Sequence, residues 1–483
     1  MRRPRGVLLP PIRDGRVRRG DLYQALRTAV LDGVFPAGAR FPSTRQAAAD
    51  YGVSRGLLEE VFSQLTDEGF LERAVGRGTF VAAQVARLAP PITGWRAQRC
   101  SHPPSRRGLA LAANAACREP PAPLPFNAGT ADTSEFPWKL WCRVQARAAR
   151  ELGPSTLQFA DPRGLPALRE AIPRYLAQFR GIRCTPGQVV IFNSAQQALN
   201  ALAALLLDRG NAVWIEDPCY LGARAAFNLA GAAAIPVPVD DQGIRLDAGV
   251  RRAPRARLAY VTPSHQYPTG VALSLERRIA LLEWAVRNDS WVVEDDYDGE
   301  FQYKGQLLTA LYSLDSHARV LYIGTLNKSM FVSLRLAYAV VPEHLAEPLA
   351  NIRTQLDGFT PAMPQMAMGL FMDEGYFSSH LRRMRAVYGA KRAALVEGLA
   401  SLAACGWSWS NNLTGMHLLV RHKRGDLVRA VVKESFLDLS LLSFYRVARA
   451  RDDGLFLRFG ALDAASLQAG IAALVTAVKK ASC

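Results

Sequence analysis

The sequence predicts an α/β protein that is preceded by a small, separate helical module. Residues 126–483 alternate short apolar segments with amphipathic helical patterns, which is typical of a mostly parallel sheet covered by helices. Residues 17–83 show three short helical patterns followed by a glycine-rich hairpin. Residues 84–125, between them, are rich in Pro, Arg and Ala, a composition that favours an extended linker. A chain of 483 residues is also too long for one hydrophobic core, which agrees with this division.

Five apolar segments are the predicted strands of the sheet. They are Val189–Asn193, Ala212–Glu216, Leu258–Thr262, Trp291–Glu294 and Val320–Gly324. Each has the length and the apolar content of a buried strand. In open α/β sheets, ligands bind at the edge where the parallel strands end. We therefore expect the polar residues that follow these segments to form the functional site.

Positive charge is concentrated near the N-terminus. The formal net charge is +17, and residues 1–125 contain 19 arginines and no lysine against 10 acidic residues. Residues 1–16 form a basic N-terminal arm, of the kind that tracks phosphates or enters a minor groove. This balance favours a polyanionic partner such as nucleic acid. A solvated, arginine-rich surface explains the net charge equally well.

The cysteines and the apolar segments bear on location. Seven cysteines are widely spaced, odd in number and without a Cys-x-x-Cys pair, which predicts a reducing compartment without structural disulfides or a Cys-rich zinc site. The N-terminus has no apolar signal-peptide core. No run of about 20 apolar residues is present, so no membrane span is predicted. The expected location is the cytoplasm.

The N-terminal module has the order helix, helix, turn, helix, hairpin. Asp21 is expected to cap the first helix, Ser43 precedes the second, and Ser54 is expected to cap the third. Gly76 and Gly78 mark the turn of the hairpin. This order is typical of a winged helix-turn-helix, whose third helix enters the major groove of DNA. A small helical interaction domain is the alternative.

Several stretches of this module resemble the GntR-type winged helix. They are Leu-Asp-Gly (31–33), Arg-Phe-Pro-Ser-Thr-Arg (40–45), Tyr-Gly-Val-Ser-Arg (51–55), Leu-Thr-Asp-Glu-Gly-Phe-Leu (65–71) and Gly-Arg-Gly-Thr-Phe-Val (76–81). The resemblance implies DNA contacts from Arg45, Ser54, Arg55, Gly76, Arg77, Gly78 and Thr79. The chain departs from the family at Gly56-Leu57-Leu58, where polar residues are usual. This departure favours phosphate contacts over base readout at the start of the third helix.

Lys328 and Arg335 follow the last predicted strand. The chain has eight lysines among 59 basic residues, so arginine supplies most of the charge. A Schiff base requires an amine that can lose its proton, which arginine cannot provide. Arg335 stands in an apolar frame, where its planar fork suits a buried anion such as phosphate. A surface lysine and an ion pair with a carboxylate are the ordinary alternatives.

Other polar or aromatic residues follow the remaining strands. Asp295 belongs to an acidic cluster in which a carboxylate can keep a pyridinium nitrogen protonated. Metal binding is the alternative, but no histidine accompanies the cluster in the sequence, and no metal site is predicted. Ala195 and Gln196 begin a predicted helix, whose first amides form an anion site. Tyr220 offers a ring that can stack on a flat ligand.

Together these segments resemble fold-type I pyridoxal-phosphate enzymes, in particular the aminotransferase-like domain of MocR/GabR-type regulators, across residues 126–483. The most specific stretches are Glu-Asp-Pro-Cys-Tyr (216–220), Thr-Pro-Ser-His-Gln-Tyr-Pro-Thr-Gly (262–270), Glu-Asp-Asp-Tyr-Asp-Gly-Glu-Phe (294–301), Gly-Thr-Leu-Asn-Lys (324–328) and Leu-Arg-Leu (334–336). The resemblance implies that pyridoxal 5'-phosphate is the cofactor and that Lys328 forms the internal aldimine with it.

The resemblance also implies roles for the other candidate residues. Asp295 would pair with the pyridine nitrogen, Tyr297 would contact the ring hydroxyl, and Tyr220 would stack on the ring. The phosphate would be held by Arg335, by Thr325 and by the amides of Ala195 and Gln196. Arg458 would bind the carboxylate of a substrate or effector.

The chain also departs from this second family. Phe159 replaces a usual Tyr, Ala195 a usual Ser or Thr, and Asn327 a usual Ser. Val332 and Ala337 stand where Pro and Gly are usual. These changes are expected to loosen the phosphate cup while keeping the lysine, the aspartate and the arginine. They favour sensing over efficient amino-group transfer.

The predicted function is therefore a regulator that binds double-stranded operator DNA and senses an amine, an amino acid or pyridoxal phosphate itself. Effector attack on the aldimine would free Lys328 and change how the domains dock. A homodimer is expected, because fold-type I sites form between two subunits, and its two winged helices would address two half-sites. One alternative is a working aminotransferase with a vestigial DNA-binding module. The other is a DNA-binding protein whose second domain serves only to dimerise.

Overall fold

A computed structural model describes residues 18–87, 104–113, 124–126, 129–154, 158, 160–303, 308–410, 414–435, 437 and 439–482. The chain divides into two compact units, residues 1–104 and residues 105–483. The basic arm, much of the predicted linker and Phe159 lie outside the described residues.

The first unit contains three helices and a two-stranded antiparallel hairpin in its described part. Their bounds are α1 Arg19–Leu31, α2 Thr44–Tyr51, α3 Arg55–Asp67, β1 Leu71–Ala74 and β2 Gly78–Val81. Leu22, Leu26, Leu58 and Phe62, all buried, belong to the core that joins the helices to the hairpin. The order and the amphipathic spacing agree with the predicted winged helix.

The ends of these helices follow capping chemistry, with one correction. Ser54 accepts a hydrogen bond from the Leu57 amide at 3.3 Å, as predicted for an N-cap. Asp21 is not the cap of α1, because that helix begins two residues earlier with Arg18 at the N-cap. Asp21 instead accepts a hydrogen bond from the Arg18 amide at 3.1 Å, which places it at the third helical position of a capping box.

The second unit is an α/β domain. Its helices are α4 Arg106–Ala112, α5 Trp138–Leu152, α6 Pro166–Arg180, α7 Ala195–Leu206, α8 Leu221–Ala230, α9 Leu246–Arg252, α10 Leu275–Arg287, α11 Glu343–Asp357, α12 Ala362–Asp373, α13 Tyr376–Leu399, α14 Gly425–Ser435, α15 Leu442–Tyr445 and α16 Ala464–Ser482. Its strands are β3 Val189–Phe192, β4 Ala212–Asp217, β5 Ala233–Asp240, β6 Gly243–Ile244, β7 Leu258–Val261, β8 Trp291–Asp296, β9 Val320–Thr325, β10 Ala337–Val340, β11 Ser408–Trp409, β12 His417–His422, β13 Ser440–Leu441 and β14 Asp453–Arg458.

The large sheet has eight strands in the order β3-β10-β9-β8-β7-β4-β5-β6. Strands β5, β4, β7, β8 and β9 are parallel neighbours, while β6 and β10 run against the others. The mostly parallel sheet predicted from the sequence is confirmed. The five predicted strands are present, with ends that differ by one or two residues. In particular, β8 continues through Asp295 and Asp296, because both remain paired with β9.

A second, antiparallel sheet has the order β11-β12-β14-β13. Its central pair brings His417 at the start of β12 directly opposite Arg458 at the end of β14. This register matters for the site, because both residues belong to segments far apart in sequence. None of the described helices combines the length and the apolar character needed to cross a membrane.

Candidate cofactor and DNA-binding sites

The strand directions bring the candidate residues to one edge of the large sheet. Parallel strands end at the same edge, so the residues after β3, β4, β7, β8 and β9 meet there. Strand β10 runs in the opposite direction, and its first residue, Ala337, pairs with Thr325 at the end of β9. Arg335, which lies just before β10, therefore reaches the same edge as Lys328, which lies just after β9.

Lys328 is half-buried in the turn after β9. Its ammonium group donates a hydrogen bond to the carbonyl of Gly129, from the segment before α5. Burial lowers the pKa of His417 well below its usual value, and the charges of His265, Arg458 and Lys328 add to this effect. His417 and Arg458 are partners across β12 and β14, and the region around these two residues and Lys328 is called the pocket here.

Asp295 is the second principal residue of this pocket. One carboxylate oxygen, Oδ2, accepts a hydrogen bond of 2.6 Å from the hydroxyl of Tyr260 on the neighbouring strand β7. The other oxygen, Oδ1, is buried and has no hydrogen-bond partner among the described residues. Burial raises the pKa of Asp295 to about 7, although the Tyr260 hydrogen bond acts to lower it.

Tyr297 follows Asp295 and is tied to the loop after β7. Its hydroxyl donates to the carbonyl of His265 at 2.9 Å and lies 3.1 Å from Nδ1 of the same residue. The His265 Nδ1 atom also lies 3.0 Å from Oδ1 of the buried Asp298. The tyrosine that the resemblance assigns to the ring hydroxyl is thus held by a histidine–aspartate pair that sequence reasoning did not identify.

The same histidine belongs to a buried trio with Asp298 and His417, whose ligand atoms lie within 4.8 Å of one another. The fold thus places histidines beside the acidic cluster, although none accompanies it in the sequence. The two imidazole rings are stacked, with centroids 4.4 Å apart and an angle of 26° between their planes. Imidazole lone pairs lie in the ring plane, so stacked rings do not direct them at one ion. We therefore treat the trio as a hydrogen-bonding group.

The residues that are predicted to hold the cofactor phosphate lie in α7 and in the turn after β9. Ser194 caps α7 by accepting from the Gln197 amide at 3.1 Å, which leaves Ala195 and Gln196 in the first turn, at the positive end of the helix dipole. The Gln196 side chain donates to the Gly222 carbonyl at 2.9 Å. Thr325 is buried beside this turn and accepts from the Asn327 amide at 3.3 Å.

Asn327 joins two of the segments that are predicted to hold the phosphate. Its Oδ1 atom accepts a hydrogen bond of 3.0 Å from the Leu336 amide and so links the Lys328 turn to the Arg335 segment. The amide side chain thus bridges the two segments, and the expected loosening of the phosphate cup at this position stays a prediction. Arg335 itself adopts a left-handed conformation with φ +56° and ψ +48°, which is rare for a residue with a side chain and is often found at functional sites.

Arg458 is half-buried and held by two tyrosines. Its Nη2 atom donates to the hydroxyl of Tyr445 at 2.6 Å and to that of Tyr267 at 3.3 Å. Its guanidinium group also lies over the ring of Phe456, 4.7 Å from the centroid. This arrangement fixes the orientation of the fork that the resemblance assigns to a carboxylate. Neither tyrosine was a candidate from the sequence.

Tyr267 is surrounded by other aromatic side chains. Tyr220, predicted to stack on the cofactor ring, meets Tyr267 edge-on with centroids 5.8 Å apart. The Tyr297 ring also meets it edge-on, at 5.5 Å. Burial raises the pKa of Tyr267 well above its usual value, so its hydroxyl stays protonated and can donate as well as accept. The pocket thus has aromatic side chains on one side and the cationic guanidinium group of Arg458 at one end.

In the first unit, the candidate DNA-binding side chains are exposed. Arg45 lies in the first turn of α2, Arg55 begins α3, and Arg77 stands at the tip of the hairpin between Gly76 and Gly78. These three arginines form no ion pair with any described residue, so their charge is available to phosphates.

The remaining candidate DNA-binding residues of this unit also stabilise its fold. Gly76 and Gly78 have φ angles of +72° and +112°, which makes glycine the natural residue at this turn. Ser54 uses its hydroxyl oxygen to cap α3. The carbonyl of Thr79 accepts from the Phe41 amide at 2.8 Å.

The donor set of the second unit fits pyridoxal phosphate. A protonated pyridine nitrogen would satisfy the buried, unpartnered Oδ1 of Asp295, whose carboxylate is otherwise costly to ionise. The first amides of α7 and the guanidinium group of Arg335 suit a phosphate. Lys328 provides an amine beside them. The three functional ends of the cofactor thus have matching protein groups.

Two family models match the chain. The model "Aminotransferase class I and II" matches residues 125–468, and the model "Bacterial regulatory proteins, gntR family" matches residues 18–81.

The similar proteins include both regulators and aminotransferases. The probable rhizopine catabolism regulatory protein MocR of Rhizobium meliloti is 35% identical over 94% of this chain and 92% of that protein. The HTH-type transcriptional regulator TauR of Rhodobacter capsulatus is 32% identical over 79% of this chain and 80% of that protein. Among solved structures, the α-aminoadipate aminotransferase LysN of Thermus thermophilus, complexed with N-(5'-phosphopyridoxyl)-L-leucine, is 28% identical with a TM-score of 0.67 and covers 74% of this chain and 92% of that one.

Proposed function

The chain belongs to the MocR-type regulators, in which a GntR-type winged helix precedes an aminotransferase-like domain, and we propose that it is a DNA-binding transcriptional regulator that senses an amine through pyridoxal phosphate. The observation that carries the sensing part of the proposal is the buried, unpartnered Oδ1 of Asp295 at the same sheet edge as Lys328. A buried carboxylate with an unused acceptor is costly unless a donor is supplied. Pyridoxal phosphate, the cofactor of this domain, supplies that donor through its ring nitrogen.

When bound, pyridoxal phosphate supplies an aldehyde that condenses reversibly with primary amines. Lys328 would hold the cofactor through its ε-amino nitrogen, the group that an effector amine would replace. Asp295 would keep the ring nitrogen protonated, and Tyr297 would orient the ring through its hydroxyl. Arg335 and the first turn of α7 would anchor the phosphate independently of Lys328.

Arg458, at one end of the pocket, is the residue that we expect to select the effector. Its fork is held by Tyr445 and Tyr267 and faces an aromatic wall, which suits an amine that carries an acid group. Release of Lys328 from the cofactor would free its ammonium group to donate to the Gly129 carbonyl, as it does in the cofactor-free chain, and so would change the contacts of the segment before α5. An effector that binds one conformation better than the other shifts the population between states of different DNA affinity.

The DNA-binding part of the proposal is supported by the exposed arginines of the first unit. Arg45, Arg55 and Arg77 offer unpaired charge at two helix starts and at the hairpin tip, as a winged helix on a duplex requires. Their side chains suit phosphate contacts. Direct contacts with DNA bases are expected to contribute less, because Gly56 and Leu57, which follow Arg55, have no polar side-chain groups.

We also propose that the active form is a homodimer. Arg335 is exposed in the single chain although it is assigned to the phosphate, so the cofactor pocket is open on that side. The apolar side chains of Val332 and Trp138 are exposed as well. A second subunit would cover such surface and would place two winged helices on two half-sites.

A working aminotransferase with a vestigial DNA-binding module is the less favoured function. The proteins similar to this chain include ones that are named as regulators. The first unit also has the capped helices and the hairpin of a winged helix. Sustained amino-group transfer to a 2-oxo acid, without salt-sensitive DNA binding, would decide for the enzyme.

The decisive experiment is a titration of the purified, cofactor-loaded protein with amines and amino acids. The visible absorbance of the lysine-bound cofactor and the affinity for operator DNA are followed in the same samples. We expect one class of amine to change both signals over the same concentration range. Lys328→Ala should abolish the spectral response, while Lys139→Ala, at an exposed position on α5, serves as the matched control. Spectral change without any change in DNA affinity contradicts the sensing proposal.

A further inference from the structure

Tyr445, which accepts a hydrogen bond of 2.6 Å from Nη2 of Arg458, lies in a loop at the surface of the second unit. We call residues 442–452, between β13 and β14, the Tyr445 loop. The tyrosine is buried, but Phe444 and Val447 close to it are exposed. Such a loop holds one side chain at hydrogen-bond distance only if other contacts fix its backbone. The contacts that fix the Tyr445 loop therefore decide how firmly Arg458 is oriented.

One set of contacts closes the loop on its own sheet. The Ser443 amide donates to Oδ1 of Asp453, the first residue of β14, at 2.9 Å. The guanidinium group of Arg446 donates to the carbonyl of Asp452 at 2.9 Å and to its carboxylate at 3.0 Å. Both acceptors stand where the loop enters β14, so these contacts shape the loop but do not fix it to the large sheet.

Asp217 fixes the loop to the large sheet. It is the last residue of β4, where it remains paired with Pro238 of β5, and its side chain is buried. Its Oδ1 atom accepts from the Val447 amide at 2.8 Å, and its Oδ2 atom accepts from the Ala448 amide at 3.0 Å. Hydrogen bonds to a carboxylate are roughly twice as strong as those between neutral groups. Two consecutive amides of an exposed loop are thus bound to a strand inside the sheet.

The segment after β4 adds two further contacts. The Cys219 amide donates to the Tyr445 carbonyl at 3.1 Å, and Leu221 belongs to the same small cluster of buried residues as Tyr445. The residue between them, Tyr220, is the one assigned to stack on the cofactor ring. Asp217 contacts the loop through polar side-chain atoms, so a substitution can remove that contact and leave the backbone bond of Cys219 in place.

We propose that Asp217 is a positioning residue for effector selection: by fixing the Tyr445 loop, it keeps the guanidinium group of Arg458 oriented for the carboxylate of an effector. This inference rests on the proposed sensing function and adds a residue to which no contact with the cofactor or the effector is assigned. Without the Asp217 carboxylate the loop can shift relative to β4, and part of the binding free energy must be spent on ordering it. An amine without an acid group makes no use of the guanidinium group, so its binding changes little.

The test uses pairs of probes that differ by one carboxylate group. The pairs are L-alanine with ethylamine, and 4-aminobutyrate with propylamine. Each probe is titrated into the cofactor-loaded full-length protein, and its apparent Kd is read from the change in cofactor absorbance. The Kd of the plain amine divided by the Kd of the amino acid measures the preference for the carboxylate. For the wild-type protein we expect this ratio to exceed one for at least one pair.

Asp217→Ala removes both acceptor oxygens, and it should lower that Kd ratio by about three- to tenfold, the scale of one hydrogen bond. The fall should come from weaker binding of the amino acid, because the plain amine does not engage the guanidinium group. Asp217→Asn keeps one acceptor oxygen and should give an intermediate ratio. If Asp217→Ala does not fold, the Asn variant alone is compared with the wild-type protein.

The matched control is Asp315→Ala. Asp315 also accepts from backbone amides, those of His317 at 2.9 Å and of Val320 at 2.8 Å. It lies just before β9, and the parallel strands begin at the edge of the sheet opposite the one that carries Lys328. Asp315→Ala should therefore keep the wild-type ratio, although it also loses hydrogen bonds from amides.

A double variant tests whether Asp217 acts through Tyr445. If it does, Asp217→Ala combined with Tyr445→Phe should show the same Kd ratio as Tyr445→Phe alone, because the hydroxyl group that the aspartate positions is already absent. Two residues that act independently would instead lower the ratio by the product of their separate effects.

The inference is overturned if Asp217→Ala weakens both members of a pair equally, since the residue would then support the fold in general. It is also overturned if Asp315→Ala lowers the ratio as much, if the two effects multiply in the double variant, or if the wild-type protein has no preference for the carboxylate. In each case amines still change the absorbance, so the proposed function stands. If no probe changes the absorbance of the wild-type protein, the proposed function and this inference both fail.

Discussion

Tyr260 donates a hydrogen bond of 2.6 Å to Oδ2 of Asp295, while Oδ1 of the same carboxylate is buried without a partner among the described residues. The tyrosine stabilises the charged form of the aspartate, and burial opposes it, with the net result that the pKa rises to about 7. Strand β7 thus supports the carboxylate from one side and leaves the other side for a donor from the cofactor.

The first prediction concerns stability and pH. In the cofactor-free folded protein the pKa of Asp295 is about 7, whereas in the unfolded chain it is about 3.9. The folded state therefore binds more protons between these values, and its stability falls as pH rises through this window. A bound pyridinium group removes that loss. We expect the Tm difference between cofactor-loaded and cofactor-free protein to be larger at pH 8 than at pH 5 by about 2 °C or more.

The measurement is a thermal melt of both forms at the two pH values. The pKa values of Glu216 and Glu294 are also raised to about 7 by burial, but these residues contribute to both forms and cancel in the difference. In Asp295→Asn the Tm difference should no longer depend on pH. Equal Tm differences at both pH values in the wild-type protein would mean that Asp295 does not face the cofactor.

The second prediction separates the recognition helix from other basic positions. Arg55 begins α3 and is exposed, and Arg106 begins α4 and is exposed as well. Arg55→Ala should weaken operator binding and lower the salt dependence of log K by about one unit, because one phosphate contact is lost. Arg106→Ala should leave both quantities near their wild-type values. Binding is measured by fluorescence anisotropy at several salt concentrations, and equal effects of the two changes would contradict the assignment of α3.

Much of the fold could be predicted, because it depends on local patterns. The apolar strands, the capping residue Ser54 and the glycines of the hairpin are properties of short stretches. The positions of Lys328 and Asp295 at one edge follow from the parallel strand order. Where a helix begins is less local: α1 starts before Asp21, because a carboxylate can cap from the third helical position as well as from the first.

The contacts of Asp295, His417 and Arg458 could not be predicted from local patterns in the same way. Tyr260 precedes Asp295 by 35 residues, and the pairing of β7 with β8 is what brings the two together. His417 and Arg458 meet only through the register of the small antiparallel sheet. For Tyr260 and His417, nothing in the surrounding stretches indicates such partners, because the partners are set by tertiary packing. A pattern of aromatic residues near Arg458, at Tyr445 and Phe456, was the one signal available.

The third prediction concerns Asn327. Its Oδ1 atom accepts from the Leu336 amide at 3.0 Å and so holds the Arg335 segment against the Lys328 turn. Asn327→Ala should weaken cofactor binding by about three- to tenfold, the scale of one hydrogen bond. The apparent Kd is obtained by titrating cofactor-free protein with pyridoxal phosphate. Asn288→Ala, at the end of α10, is the control. Tighter binding in Asn327→Ala would show that the asparagine does loosen the phosphate cup.

The fourth prediction concerns Arg458, the residue assigned to the carboxylate of the effector. Tyr445 accepts a hydrogen bond of 2.6 Å from Nη2 of Arg458 and so fixes the fork before an effector arrives. Tyr445→Phe removes this restraint, and part of the binding free energy must then be spent on ordering the guanidinium group. L-alanine and ethylamine, which differ by a carboxylate, measure the effect. The preference for L-alanine should fall by about three- to tenfold.

The control for this change is Tyr312→Phe, which removes a hydroxyl group that accepts from Gln188 at 3.3 Å. It should leave the ratio of the two apparent Kd values unchanged, because Gln188 lies just before the start of β3, at the edge of the sheet opposite the pocket. If Tyr445→Phe weakens L-alanine and ethylamine to the same extent, the tyrosine supports the pocket in general and does not position Arg458. A fall confined to L-alanine assigns the acid group of the effector to Arg458, since only a carboxylate depends on how the guanidinium fork is oriented.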